Sequence, residues 1–126
     1  MLERHRKEVE NNIYDISRSF AIRIVKLYGY LTDIKKENVM SKQLLRAGTS
    51  VGANVCEARN AQSRPDFASK MNIALKEAGE SLYWLDLLHE TNYMSDKEYD
   101  SIYADSKRIV AVLTKIVKAT KSPQKS

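Results

Sequence analysis

The chain predicts an all-α fold, an antiparallel up-down-up-down four-helix bundle, on three observations. Its only prolines are Pro65 and Pro123 and it has four glycines, so long stretches carry no breaker. Apolar residues, β-branched ones included, recur every three or four positions and never alternate as a strand requires. Three short polar breaks then divide the 126 residues into four such stretches, each long enough for a bundle helix. A chain of this length is most simply one domain, 1–126, able to bury one core without staples.

The first helix is placed at about 12–35 by Ile13, Ile16, Phe20, Ile24, Leu27, Leu31 and Ile34, whose three-and-four spacing is a bundle seam. Asn11 or Asn12 can cap it, and the charged stretch ending at Asn38 closes it. The second is expected over about 41–61 with Ser41 as its N-cap. In the break that follows, Ser63 or Arg64 takes the cap position and Pro65 the first turn, where its missing N–H costs nothing. The third helix, about 65–91, aligns Phe67, Met71, Ala74, Leu75, Ala78, Leu82, Leu85 and Leu88. Ser95 and Glu98 have the spacing of a capping box, the clearest helix start in the chain. The fourth helix, about 95–119, turns Tyr99, Ile102, Ser106, Ile109, Leu113 and Ile116 inward. The charged ends 1–10 and 120–126 are expected to fray.

Charge is unevenly distributed. All 16 acidic residues precede Ser106, together with 15 of the 21 Lys and Arg, whereas residues 106–126 carry the other six and no acid. On the fourth helix Lys107, Lys115, Lys118 and Lys121 gather within an arc of about 120°, with Arg108 at its border. A second acid-free interval, from Ile16 to Thr32, holds Arg18, Arg23 and Lys26. Localised positive charge suits phosphate, although cations at a helix C-terminus also favour the macrodipole. The single Cys56 excludes an internal disulfide and reads as a small core residue. Neither a signal peptide nor a membrane span is present in the sequence, so the cytoplasm is the expected location.

Residues 45–58, LRAGTSVGANVCEA, read as helix yet carry a polar stripe. Arg46, Ser50, Asn54 and Glu57 fall within about 80° of one another. Gly48 and Gly52 lie four apart on the same helix, where each costs about 1 kcal/mol relative to Ala, so another helix or a ligand must approach closely. On the third helix Glu77, Glu80 and Trp84 share a face within about 60°. A hairpin brings that face to the stripe, with Arg46 pairing Glu77 or Glu80 while Asn54 and the Trp84 indole satisfy the rest. The stripe is therefore expected to be a structural seam holding two helices in register.

Sites for chemistry are sparse. Asp86-x-x-His89 is one carboxylate–histidine pair where a di-metal bundle needs two, and His5 lies in the charged leader. Glu77-x-x-Glu80 has the spacing for Mg²⁺, but no second acidic pair of matching spacing follows; Asp96 and Glu98 are better explained by capping. Ser50 and Cys56 have no histidine nearby in sequence and no strained elbow to expose them. The chain is expected to be non-enzymatic, with no metal and no cofactor.

Taken together, LLRAGTSVGANVCEA at 44–58 and SRPDFASKMNIALKEAGESLYWLDLL at 63–88 contain R-A-x-x-S-x-x-x-N-x-x-E-A, D-F-x-x-K and K-E-A-x-E-x-x-x-W-L. With these motifs the chain, from about Ile13 to Lys118, resembles the bacterial four-helix-bundle family of 23S rRNA intervening sequence proteins, also called the S23 ribosomal protein family. That family looks related to the accessory variability determinant of diversity-generating retroelements, a pentameric bundle acting with a reverse transcriptase and RNA. The resemblance implies a homopentamer, nucleic-acid binding through a basic surface, and no catalysed reaction. Its signature positions here are Arg46, Ser50, Asn54, Glu57, Asp66, Phe67, Lys70, Lys76, Glu77, Glu80 and Trp84, most of them packing or interface residues.

Two functions are expected. In the first the chain is an oligomeric nucleic-acid-binding protein that contacts RNA or DNA phosphates through Arg18, Arg23 and Lys26 and through Lys107, Arg108, Lys115, Lys118 and Lys121, the two sets merging across adjacent helices. In the second it is a structural adaptor for another polypeptide, such as a reverse transcriptase, with no direct nucleic-acid contact, and its many tyrosines serve interfaces.

Overall fold

The computed structural model describes residues 2–121, with side chains described from Asn12 onward. Four helices follow one another: α1 (Leu2–Asp33), α2 (Met40–Arg59), α3 (Arg64–Glu90) and α4 (Asp96–Lys121). Each packs against its neighbour in sequence, α1 closes against α4, and the diagonal pairs stand further apart across the core, which is the up-down-up-down four-helix bundle. Among the described residues there is no strand.

The core is the meeting line of four apolar stripes. Ile13, Phe20, Ile24 and Leu31 come from α1, Leu44, Val51 and Val55 from α2, Met71, Leu85 and Leu88 from α3, and Ile109 and Leu113 from α4, all at most 2% exposed. Small residues let the helices close: Ala47, Ala74 and Ala78 are buried, as are Ser17, Ser41, Ser81 and Ser106. Three of these serines donate to their own helix or its cap, Ser17 to the Tyr14 carbonyl, Ser41 to that of Glu37 and Ser81 to that of Glu77.

Gly48 and Gly52 mark the α1–α2 contact. A Cβ on Gly48 would lie 2.9 Å from Cγ1 of the buried Ile24, and one on Gly52 would lie 3.4 Å from the Ser17 carbonyl oxygen. The paired glycines thus answer a helix backbone and its side chains rather than a ligand.

Helix ends both follow and correct the sequence. Ser63 caps α3 by accepting from the Asp66 N–H at 3.1 Å, with Pro65 in the first turn. The capping box at α4 is complete: the Ser95 N–H donates to Glu98 Oε1 at 2.9 Å, and the Glu98 N–H donates to Ser95 Oγ at 3.1 Å. Ser95→Ala is expected to lower stability by about 1 kcal/mol, read as a drop of a few degrees in the melting temperature by circular dichroism.

At the end of α3, Asn92 adopts φ 69°, and the Tyr93 and Asn92 N–H groups return to the Leu88 and His89 carbonyls. This closes the helix with a left-handed residue, which Asn tolerates better than most side chains.

Three expectations fail at the α1 end of the molecule and the α1–α2 turn. Helix α1 starts at Leu2, so neither Asn11 nor Asn12 is its cap, and the charged leader continues the helix instead of lying outside it. The side chains of residues 2–11, His5 among them, and residues 122–126 lie outside the described residues. Ile34 is 67% exposed because α1 stops one residue before it, which removes it from the seam.

Ser41 is buried inside α2, and the cap is supplied by Glu37. Its carboxylate accepts from the N–H groups of Val39, Met40 and Ser41 at 3.0, 3.0 and 2.8 Å. The preceding Lys36 takes φ 59°, which turns the chain so that Glu37 points back at the helix start.

Candidate nucleic-acid interface and polar seam

The stripe on α2 meets α3 as its spacing predicts. Arg46 Nη1 donates to Glu77 Oε2 at 2.9 Å, Arg46 Nη2 donates to Glu80 Oε2, and the Trp84 Nε1–H reaches the same Glu80 oxygen at 3.4 Å. Two acids that could have held a cation are instead bridged by one guanidinium. Ser50 and Asn54 do not cross the seam; the hydroxyl donates to the Arg46 carbonyl and the amide to the Ser50 carbonyl. Glu57 lies 3.6 Å from Lys70, a second α2–α3 ion pair about three turns further along α2 from Arg46. The register of this hairpin is therefore fixed by charge at both ends and by small buried residues between them.

Asp86 and His89 are also claimed by structure. Tyr99 donates its hydroxyl to Asp86, and His89 Nε2 hydrogen-bonds Asp96 Oδ1 at 2.7 Å while its ring stacks on Tyr99 at 4.1 Å. Burial, and then the Asp86 carboxylate, push the Tyr99 hydroxyl well above its ordinary pKa. Asp96, expected to act as a capping residue, thus serves the α3–α4 junction. Among the described residues no group of three or more His, Cys, Asp or Glu is arranged to hold a metal ion.

Cys56 is exposed, contrary to its reading as a core residue. Val55 takes the inward position on that turn, leaving Cys56 in a shallow groove between α1 and α2 beside Tyr14, Arg18, Thr49 and Ala53.

The cations divide into two groups. On α4, Lys107, Arg108, Lys115, Lys118 and Lys121 are exposed and make no ion pair with any acid among the described residues. Lys107 Nζ sits 5.7 Å from the centre of the Tyr103 ring, one turn before it on the same face of α4. From Lys107 to Lys121 the row runs about 21 Å along the helix.

The α1 cations do not join this row. Arg23 turns to α4 and is engaged there, with Nη1 2.6 Å from Asp105 Oδ2 and Nη2 2.9 Å from Ser101 Oγ. Because α1 and α4 run antiparallel, Lys26 lies a turn beyond Arg23 toward the α3–α4 junction, away from Lys107–Lys121. Arg18 lines the α1–α2 groove. Periodicity placed these residues on one helix, but only the packing of α1 between two neighbours separates them into different surfaces.

No helix among the described residues is long and apolar enough to cross a membrane. The fold and its internally paired polar side chains define a small all-α up-down bundle. The chain belongs to the 23S rRNA-intervening sequence protein family, whose sequence pattern matches residues 9–115. It is also similar to a crystal structure of a protein with unknown function from the S23 ribosomal protein family of Bacteroides thetaiotaomicron. The two share 54% identity over 87% of this chain and 98% of that one, with a TM-score of 0.86. None of the curated proteins matches this chain.

Proposed function

We propose that the protein is a non-enzymatic, homo-oligomeric nucleic-acid-binding protein whose contact surface is the C-terminal half of α4. The observation that carries this reading is the row Lys107, Arg108, Lys115, Lys118 and Lys121, which no acid among the described residues pairs, on a helix that has no acid after Asp105. The macrodipole accounts for Lys118 and Lys121 in the last turn, since cations are favourable there within about one turn of the end. It does not account for Lys107 and Arg108, which stand mid-helix. A row of this length spans about six phosphates of one strand at ~3.4 Å of duplex axis each. Lysines on a helix face read phosphate rather than base edges, so affinity for RNA or DNA is expected with little sequence preference. Repetition of the row around an oligomer, a pentamer by family resemblance, raises modest single-site affinity by avidity.

The test is retention of a structured RNA and of duplex DNA by the wild-type chain and by a variant carrying Lys107→Gln, Lys115→Gln, Lys118→Gln and Lys121→Gln. Four phosphate contacts predict about a hundredfold loss of affinity between 50 and 200 mM salt. The variant is expected to lose retention and to flatten the salt dependence by about three log units per log unit of salt. Retention that is independent of salt, or unchanged in the variant, overturns the reading. Capture of a polypeptide partner that survives the substitutions would favour an adaptor role instead.

A further inference from the structure

On the outer face of the α3–α4 pair, positive charge, an opening and a half-buried ring coincide. Two contacts fix the register of these helices. Tyr99 donates its hydroxyl to Asp86 at one end, and the Arg64 guanidinium donates to the Ala119 carbonyl at 3.4 Å at the other. Counting inward from both along antiparallel helices puts Gly79 level with the turn of α4 between Tyr103 and Lys107. Asn72, Lys76, Gly79 and Tyr83 are exposed within an arc of about 60° on α3; beside them on α4, Lys107, Ala111 and Lys118 are exposed within about 40°.

From the level of Gly79 to that of Lys121 this face holds no acid. Asp66, Glu77 and Glu80 lie within about 60° of one another on the side of α3 that meets α2, where Arg46 bridges the two glutamates. Asp105 is engaged on the α1 side by Arg23. Asp86, Glu90, Asp96 and Asp100 border the face only at its Tyr83 end, where α3 gives way to α4.

Three rings lead to this face. His89 stacks on Tyr99 at 4.1 Å, and Tyr99 meets Tyr103 at 5.0 Å. His89 is bonded to Asp96, and Tyr99 packs on the core and donates to Asp86. Tyr103 does none of this among the described residues: it ends the ladder half-buried, its hydroxyl in no hydrogen bond and its ring centre 5.7 Å from Lys107 Nζ. Level with it, Gly79 leaves an opening where a Cβ would meet nothing within 4 Å, although glycine in mid-helix costs about 1 kcal/mol. A ring beside a cation on an open, acid-free surface suits a nucleobase next to its phosphate. A duplex keeps its bases stacked on one another, so only an unpaired nucleotide brings a base face to such a ring.

The geometry points to the α3–α4 groove as a binding site for an unpaired nucleic-acid strand. One base stacks on Tyr103 over Gly79, and the backbone runs between Lys76 and the Lys107–Lys121 row, away from the acidic junction. This rests on the reading of the chain as a nucleic-acid-binding protein and names the form of nucleic acid that its surface selects.

The experiment is fluorescence anisotropy at one low salt concentration with a short unstructured RNA strand and with the same strand annealed to its complement. The chains compared are wild type, Gly79→Leu, Tyr103→Leu and Tyr103→Phe, each checked for folding by circular dichroism. Gly79→Leu fills the opening and is expected to keep or raise the melting temperature, because leucine is the better helix former. Wild type is expected to favour the single strand. Gly79→Leu and Tyr103→Leu are expected to lower the ratio of single-strand to duplex affinity about tenfold, the worth of roughly one stacked base. Tyr103→Phe, which keeps the ring, is expected to retain the ratio. Should Tyr103→Leu fail to fold, Gly79→Leu decides by itself.

A wild type that retains neither form overturns the nucleic-acid reading and this inference with it. A wild type that binds both without favouring the single strand, or a preference that survives Gly79→Leu, overturns only the groove. So does a preference lost in Tyr103→Phe, because a hydroxyl and not a ring would then make the contact.

Discussion

Gly48→Val is expected to cost about 3 kcal/mol of stability and to lower the melting temperature by roughly 10 °C. A Cβ at position 48 would meet Ile24 Cγ1 at 2.9 Å, Cγ2 at 3.0 Å and Cβ at 3.3 Å. These are the branch atoms of a fully buried residue, held by a stiff χ1, and not the end of a flexible chain. To admit one methyl, α1 and α2 must separate, and the two further carbons of valine enlarge the gap. The gain from replacing a helical glycine, at most about 1 kcal/mol, is too small to offset that. Where nothing lies near, the same gain is expressed in full: Gly29→Ala and Gly79→Ala, whose new carbons would meet nothing within 4 Å, are each expected to stabilise by about 1 kcal/mol. Urea denaturation separates these outcomes, and a Gly48→Val chain as stable as wild type would refute the close approach.

Glu37→Ala is expected to cost a similar amount, about 3 kcal/mol, because it removes the acceptor for three backbone N–H groups at the start of α2. Glu37 is only 7% exposed, so water cannot fully replace the carboxylate. Burial alone would raise its pKa, but the hydrogen bonds from Met40, Ser41 and Val39 together outweigh that effect and hold it below its ordinary 4.5.

The sign of the pH dependence follows. A carboxyl whose folded pKa is depressed contributes stability above its unfolded pKa, and that contribution is lost as pH falls through the folded value. Wild type should therefore lose part of its margin over Glu37→Gln as pH falls from about 5 through the depressed value, since Gln keeps one acceptor oxygen but carries no charge. Glu98, whose pKa is lowered by the Ser95 backbone and hydroxyl, contributes in the same direction from an exposed position. Denaturation of the two chains at pH 7, 5 and 3.5 measures the effect; a stability difference independent of pH would rule out the buried anionic cap.

Much of the fold was legible because helices announce themselves locally. The seam of Ile13, Phe20, Ile24 and Leu31, the Ser63 cap with Pro65 behind it, and the Ser95–Glu98 box all depend on residues within a few positions of one another. The pairing of Arg46 with Glu77 and Glu80 was legible for a related reason: a hairpin with a short turn fixes which turns of two neighbouring helices meet. Other assignments needed distances between elements that the sequence does not rank. Ser41 has the right residue type for a cap, yet a left-handed residue at Lys36 swings Glu37 into that role. Cys56 is small and apolar enough for the core, but Val55 occupies the inward position on the same turn.

The sequence by itself determined the number, order and faces of the helices and the family, because hydrophobic period, capping chemistry and motif spacing are properties of contiguous residues. Only the tertiary structure decided which charges remain available. Arg23 is engaged by Asp105 and Arg46 by Glu77 and Glu80, whereas Lys107, Arg108, Lys115, Lys118 and Lys121 on α4 make no ion pair among the described residues. Whether a cation is free depends on which side chains the packing brings within about 4 Å of it, and residues tens of positions away along the chain set that distance.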